Sequence, residues 1–198
     1  MAGSATVGSR VVGLLLAAGA GRRMGGPKAL QRGDDGTAWV VRAASALRAG
    51  GCDPVRVVLG AGAAEAQRLL TDAGPDGEVD VVVASDWSEG MGASLRTGID
   101  GLARLAPDAE AAVVHLVDLP DVGADVVARV ASYAAPTVLA RAVYAGPPGH
   151  PVLLGRDHWA GVLSAAHGDA GARDYLAGRD VRAVECGDLA SGDDIDSH

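Results

Sequence analysis

Apolar residues fall in short blocks along this chain, and each block is followed by a glycine-rich or polar break. Val11 to Ala18 carries no charge and is the length of one buried strand. Buried parallel strands read this way, as continuous apolar runs rather than alternating ones. Val55 to Leu59, Val79 to Ala84, Ala111 to Val117, Thr137 to Tyr144, Val152 to Leu154 and Val181 to Cys186 read as further strands. Helical stretches lie between them. Thr37 is placed to cap a helix running to Ala49, closed by Gly50-Gly51. Ala63 to Ala73 is a second helix, broken by Gly74-Pro75-Asp76-Gly77. Others start near Ala93, run from Asp125 to Ala134, and run from Asp157 to Ala166 with Trp159 on the apolar face. Strands alternating with helices predict an α/β fold with a mostly parallel sheet and right-handed crossovers. Ligands in such sheets bind at the carboxyl ends of the strands.

Composition narrows the class. The chain has 198 residues, enough for one well-buried α/β domain, expected over residues 10–198 after a flexible leader at 1–9. A net charge of −8 argues against a nucleic-acid partner, which needs a basic face. Cys52 and Cys186 are too few for a disulfide framework and lack metal-ligand spacing. Val11 to Ala18 is too short to span a bilayer, so no membrane partner is expected and a cytoplasmic location is the default.

The candidate chemistry starts where the first strand ends. Gly19, Gly21, Gly25 and Gly26 follow it closely, with Arg22, Arg23 and Lys28 among them. Glycines let backbone N–H groups approach a ligand, and cations beside those groups make a phosphate cradle. Lys28 is the only lysine; the other 16 cationic side chains are arginine. A compact ammonium suits a moving contact to a phosphate better than a planar fork does. No Gly-Lys-Ser/Thr occurs, so the loop is not a Walker A motif. Asp118-Leu119-Pro120-Asp121 ends the 111–117 strand and puts a carboxylate at the same end of the sheet. Mg²⁺ takes oxygen ligands, and Asp118 is the first choice for one. Asp121 reads as the cap of the helix that follows. The small residues Gly90 and Gly92 at a helix start can admit a ligand close to free N–H groups, with Trp87 and Glu89 before them. His150 is read equally as a functional group and as a structural hydrogen-bonder; His115, inside a strand, is expected in the core.

LAAGAGRRMGGPKAL resembles the signature loop of the nucleotidyltransferases that share a three-layer Rossmann-like NTP-transferase fold. The nearest branch is the MobA-like group, particularly the molybdenum-cofactor cytidylyltransferases. Asp118-Leu119-Pro120 matches that branch's Asp-x-Pro, and Gly149-His150-Pro151-Val152 matches its Gly-His-Pro-Val. Gly168-Asp169-Ala170-Gly171-Ala172-Arg173 and Asp194-Ile195-Asp196-Ser197 match two later stretches.

The resemblance implies an enzyme that transfers NMP from an NTP to a phosphorylated acceptor and releases pyrophosphate, with Mg²⁺ as cofactor. Arg22, Arg23 and Lys28 would be catalytic. Ala17, Ala18, Gly19, Gly21 and Ser94 would bind the nucleotide; Ala17-Ala18-Gly19 goes with CTP, where guanylyl-transferring relatives tend to Ala-Gly-Gly. His150, Asp169 and Arg173 would bind a molybdopterin-type acceptor, although Asp169 and Arg173 can equally pair with each other. Asp118 and Asp196 would hold metal, and a molybdoenzyme is an implied partner. Three other readings stay open: a sugar-phosphate nucleotidyltransferase, a dinucleotide-binding oxidoreductase, and a non-catalytic accessory protein that binds a nucleotide or pterin. The oxidoreductase reading expects an acidic residue ending the second strand, where Leu59-Gly60 stands.

Overall fold

The computed structural model describes residues 11–74 and 79–195; the leader at 1–9, most of the 74–77 break and Asp196 lie outside the described residues. The described strands are β1 (Val11–Ala17), β2 (Val55–Leu59), β3 (Asp80–Val83), β4 (Ala111–Leu116), β5 (Leu139–Val143), β6 (Pro148–Gly155) and β7 (Arg182–Glu185). They form one seven-stranded sheet in the order β3-β2-β1-β4-β6-β5-β7. Every strand pair is parallel except those made by β6, which runs antiparallel to both β4 and β5. The sheet is therefore mostly parallel, and β1, an interior strand beside the central β4, delivers the glycine loop to the carboxyl end.

The described helices are α1 (Trp39–Ala49), α2 (Ala63–Asp72), α3 (Met91–Ile99), α4 (Leu102–Leu105), α5 (Ala124–Ala131), α6 (Trp159–Ala165) and α7 (Arg173–Leu176). Side chains alternate across a strand, so a strand buried on both faces must be apolar at every position. In β1, Leu15 and Ala17 join the core under α1, α2 and α5, while Leu14 and Leu16 join the core under α3, α4, α6 and α7. Leu14 and Leu15 are fully buried, and each such side chain contributes about 1.5–3 kcal/mol. That two-sided burial makes three layers.

Three local expectations are corrected. Ala38, not Thr37, is the N-cap of α1; the Thr37 N–H donates instead to Asp35 Oδ1 at 2.9 Å in a tight turn. The strand predicted over Val152 to Leu154 runs from Pro148. Gly149, His150 and Pro151 belong to it because β5 and β6 shift register between Arg141 and Val143, a bulge that a purely apolar pattern does not reveal. Asp121 does not cap α5, whose N-cap is Gly123.

At the outer edge Arg56 is itself buried on β2. Its Nε donates to Asp80 Oδ2 on β3 at 2.6 Å, and a second nitrogen donates to the Asp100 carbonyl at 2.7 Å. No helix among the described residues is long and apolar enough to cross a membrane.

His115 is fully buried on β4, as expected, but neither ring nitrogen meets a hydrogen-bond partner. Burial, with the nearby His150, pushes its pKa down from 6.5 to about 3. Between those values the unfolded chain binds a proton that the folded chain refuses. Stability is thus complete above pH 6.5 and falls as pH drops toward 3, by up to about 1.4 kcal/mol per pH unit. His115→Leu is expected to flatten the fall in melting temperature between pH 7 and pH 5. Parallel curves for the two proteins would mean that His115 takes its proton without unfolding.

Candidate active site

The backbone at the end of β1 is built around one glycine. Gly21 has φ of 55°, in the left-handed region, and a Cβ there would lie 2.0 Å from the Gly26 carbonyl oxygen. The Gly21 carbonyl accepts from Met24 N–H at 2.9 Å and Gly26 N–H at 3.3 Å, so the loop closes on itself. Arg22 to Met24 form a 3₁₀ turn, and Lys28 to Leu30 form another. The second turn sends Lys28 back across the end of the sheet. Its Nζ donates to Asp118 Oδ2 at 2.6 Å, with the two side chains 18% and 15% exposed. A residue of the glycine loop and the carboxylate beyond β4 thus meet, 90 positions apart in sequence.

A cleft of about 420 Å³ opens beside this pair, within the size range of small-molecule sites. It is lined by Ala18, Gly19, Gly21, Arg22, Lys28 and Asp118 together with Trp87, Gly90, Met91, Ser94 and Asp169. A Cβ on Gly19 would meet nothing within 4 Å, so that backbone faces open space. Ala17 does not line the cleft: it is 1% exposed and packs under α1. Arg23 is exposed on the turn and does not line the cleft either.

Of Gly90 and Gly92 at the start of α3, Gly90 is the N-cap and lines the cleft, and both pack closely on another part of the chain. A Cβ on Gly90 would lie 2.5 Å from Asp169 Oδ1, and one on Gly92 would lie 2.7 Å from His167 backbone. The absence of a Cβ at both positions lets the chain's own 167–169 segment approach. That close approach carries Asp169 into the cleft. Asp169 and Arg173 make no ion pair or hydrogen bond with each other, which removes one of the two readings of that stretch.

His150 and Arg173 lie outside the cleft lining. Tyr144 Oη donates to the His150 carbonyl at 2.6 Å, which fixes the β6 backbone there. The His150 ring is pushed down to about 4 by burial and by Arg141, against the opposing pull of Asp118, so it is neutral at pH 7.

The tail is anchored, and the anchor is Asp121. Its Oδ2 accepts from Ser191 N–H and Ser191 Oγ–H, each at 2.7 Å, and from Gly192 N–H at 3.2 Å. Further along, Ile195 N–H donates to the Asp118 carbonyl at 3.1 Å. The chain therefore reaches the carboxyl end of β4 one residue before Asp196. Sequence reading missed this because a carboxylate holding a segment 70 residues away leaves no local pattern. Asp121→Ala is expected to speed hydrogen exchange at residues 191–195 roughly tenfold, the worth of one charge-assisted hydrogen bond, with little change in melting temperature. Unchanged exchange would assign the anchoring to Ile195 and to Gly192 packed on Tyr144 instead.

Asp118 lines the cleft as a carboxylate, the donor type divalent ions use, and its Oδ2 accepts from Lys28. The described residues hold no group of three or more His, Cys, Asp or Glu side chains that could cage one. Mg²⁺ needs no such cage: it commonly uses one or two carboxylates and completes its shell with water and substrate phosphates.

Comparison with known proteins agrees with this fold. A nicotine blue oxidoreductase from Paenarthrobacter nicotinovorans is 36% identical over 197 residues, covering 94% of this chain and 92% of its own. The crystal structure of Rv0371c from Mycobacterium tuberculosis H37Rv superposes with a TM-score of 0.74 at 32% identity, over 96% of this chain and 95% of that one. Rv0371c has also been solved in complex with manganese. A nucleotidyl transferase from Methanothermobacter thermautotroptrophicus (Mth528) shares the fold at a TM-score of 0.79 and 22% identity, over 96% and 93% of the two chains. The MobA-like NTP transferase domain matches residues 13–184, from β1 to β7, and the chain belongs to that family.

Proposed function

We propose that the protein is a cytidylyltransferase that moves CMP from CTP to a phosphorylated acceptor, a molybdopterin-type cofactor, and releases pyrophosphate. The Lys28–Asp118 pair at the mouth of the glycine loop carries this reading. It sets a mobile cation and a metal-competent carboxylate side by side, where the α-phosphate of a nucleotide lying on the loop would fall.

An oxygen of the acceptor phosphate attacks the α-phosphorus, and the bond from that phosphorus to the pyrophosphate oxygen breaks. No general base is required, because a phosphate monoester is already ionised at neutral pH. Catalysis is then alignment and charge neutralisation. The N–H groups from Gly19 to Gly21 hold the nucleotide, and Arg22, which lines the cleft, takes the outer phosphates. Arg23, one residue on, is the alternative for that contact. Lys28 swings from Asp118 to the oxygens that gain charge in the transition state. Mg²⁺ on Asp118, with Asp196 as second carboxylate, would supply charge neutralisation along the phosphates. Ala18, with Ala17 buried behind it, narrows the base side of the cleft for a pyrimidine, and Ser94 faces it from α3.

The test is pyrophosphate release with Mg²⁺, molybdopterin cofactor and each of CTP, GTP and ATP. Release with CTP alone is the expected result. Equal or better release with GTP would overturn the base assignment, and tight nucleotide binding without release would move the protein to an accessory role.

A second reading has one observation in its favour, the 36% identity to a protein named for oxidoreductase activity. On that reading the apolar side of the cleft, at Trp87, Met91 and Leu116, takes a planar aromatic substrate. β2 ends in Leu59, followed by Gly60, and not in the acidic group that holds a dinucleotide ribose. Consumption of NADH or NADPH with an aromatic electron acceptor, and no pyrophosphate release with any nucleotide, would establish it.

A further inference from the structure

Two segments of the cleft come from distant parts of the chain, and both are tied to one side chain that does not line it. The first is the 3₁₀ turn at Trp87–Glu89, which supplies Trp87 and Ser88. The second is the 3₁₀ turn at Gly168–Ala170, which supplies Asp169. Arg96, in the last turn of α3, reaches toward both and is absent from the lining itself. Its Nη1 donates to the Ala166 carbonyl at 2.6 Å, across 70 positions of sequence. Its Nη2 donates to Asp86 Oδ2 at 3.3 Å and stands 3.6 Å from Glu89 Oε2.

Each arm ends where a cleft segment begins. Ala166 is the C-cap of α6, and a cation donating there satisfies a terminal carbonyl and meets the negative end of the helix. Ala166 is fully buried, so its carbonyl cannot turn to water instead. The chain leaves that point through His167, whose backbone closes on Gly92, and reaches Asp169 two residues later. The other arm holds Asp86, the N-cap residue of the turn that carries Trp87. Trp87 lies over Gly60, where a Cβ would stand 2.7 Å from its ring and 2.7 Å from the Ala18 carbonyl. Fixing Asp86 therefore keeps Trp87 against the start of the glycine loop. These contacts do little for the stability of the fold. The Arg96, Asp86 and Glu89 side chains are 30%, 38% and 67% exposed, and ion pairs so open to water add little. What the guanidinium supplies is geometry, since its rigid fork holds two partners at a set separation.

We propose that Arg96 is a positioning residue, a clasp that fixes the Trp87 turn and the Asp169 turn to α3 so that both keep one spacing about the bound nucleotide. Its part in catalysis rests on the nucleotidyltransferase reading; the clasp itself does not. A reaction driven by alignment tolerates little slack, and a displacement of about 1 Å imposed from outside the chemistry can cost roughly 10²-fold in rate.

Arg96→Met keeps an unbranched side chain and removes the fork. Amide exchange in the ligand-free protein, followed by mass spectrometry, is expected to rise roughly tenfold in residues 86–90 and in residues 167–171, with β1 and β4 unchanged. Asp86→Ala cuts one arm and should loosen 86–90 alone; it also keeps the test valid if Arg96→Met fails to fold. Well below the melting temperature, Arg96→Met should change CTP affinity by only a few-fold and lower kcat for pyrophosphate release roughly tenfold or more. Arg96→Lys should not restore kcat, because an ammonium on a flexible stem does not hold two partners at a set separation. A lower melting temperature with CTP affinity and kcat both unchanged would make Arg96 a structural residue and overturn the proposal. Full kcat in Arg96→Lys would overturn the clasp in favour of charge alone, and faster exchange in only one of the two segments of Arg96→Met would also overturn it. Failure of the native protein to bind any nucleotide refutes the nucleotidyltransferase reading, and the exchange experiment then judges the clasp by itself.

Discussion

Lys28→Ala is expected to slow nucleotidyl transfer roughly 10²- to 10³-fold, the usual cost of losing one donor aimed at transition-state charge. The loss should fall on kcat, with the nucleotide KM changing by only a few-fold, because the resting Lys28 is engaged with Asp118 rather than reaching into the cleft. Lys28→Arg keeps the charge but replaces a point contact with a rigid fork, and an intermediate rate is expected from it. Steady-state pyrophosphate release over a range of CTP concentrations makes the measurement. A large rise in KM with kcat preserved would assign Lys28 to ground-state binding and remove it from the chemical step. Asp118 remains in Lys28→Ala without its partner, so a modest fall in melting temperature should accompany the kinetic loss.

Gly21→Ala is the second large effect. The left-handed backbone alone costs about 1–2 kcal/mol in any residue with a Cβ. The new Cβ would also overlap a backbone oxygen 2.0 Å away, and that oxygen belongs to the loop itself. The loop must therefore open, and saturable CTP binding should disappear at concentrations that fill the native protein. Gly19→Ala is the internal comparison. Its Cβ points into open space, so the protein should fold normally and lose only part of its nucleotide affinity. Isothermal titration of both variants with CTP distinguishes them. Equal affinities for the two would mean that the loop's conformation is not what binds the nucleotide.

The sheet was legible in the sequence because buried strands announce themselves as uncharged apolar runs. β1 and β4 were read nearly to the residue for that reason. The glycine loop was legible because positive φ selects glycine, and Gly21 and Gly25 both need it. What escaped depended on partners far away in the chain. That Gly90 and Gly92 also let the 167–169 segment pack against α3 is not legible, since a sequence shows that space is left and not which segment meets it. Asp121 looked like a helix cap because carboxylates before helices usually are, and its three bonds go to Ser191 and Gly192.

The Arg56–Asp80 bond at the outer margin of the sheet bears on how the protein behaves in concentrated solution. β3 has four residues, and Val83 on it is 54% exposed, so this edge is open to strand addition by a neighbouring molecule. Such an addition would have to cover Asp80 while Arg56, tied also to the Asp100 carbonyl, keeps the carboxylate in place. Short edges that carry a fixed charge resist edge-to-edge joining between molecules. The same contact that staples β3 to β2 thus acts as a gatekeeper against fibrillar self-association, and its removal would show as turbidity on standing rather than as a loss of catalysis.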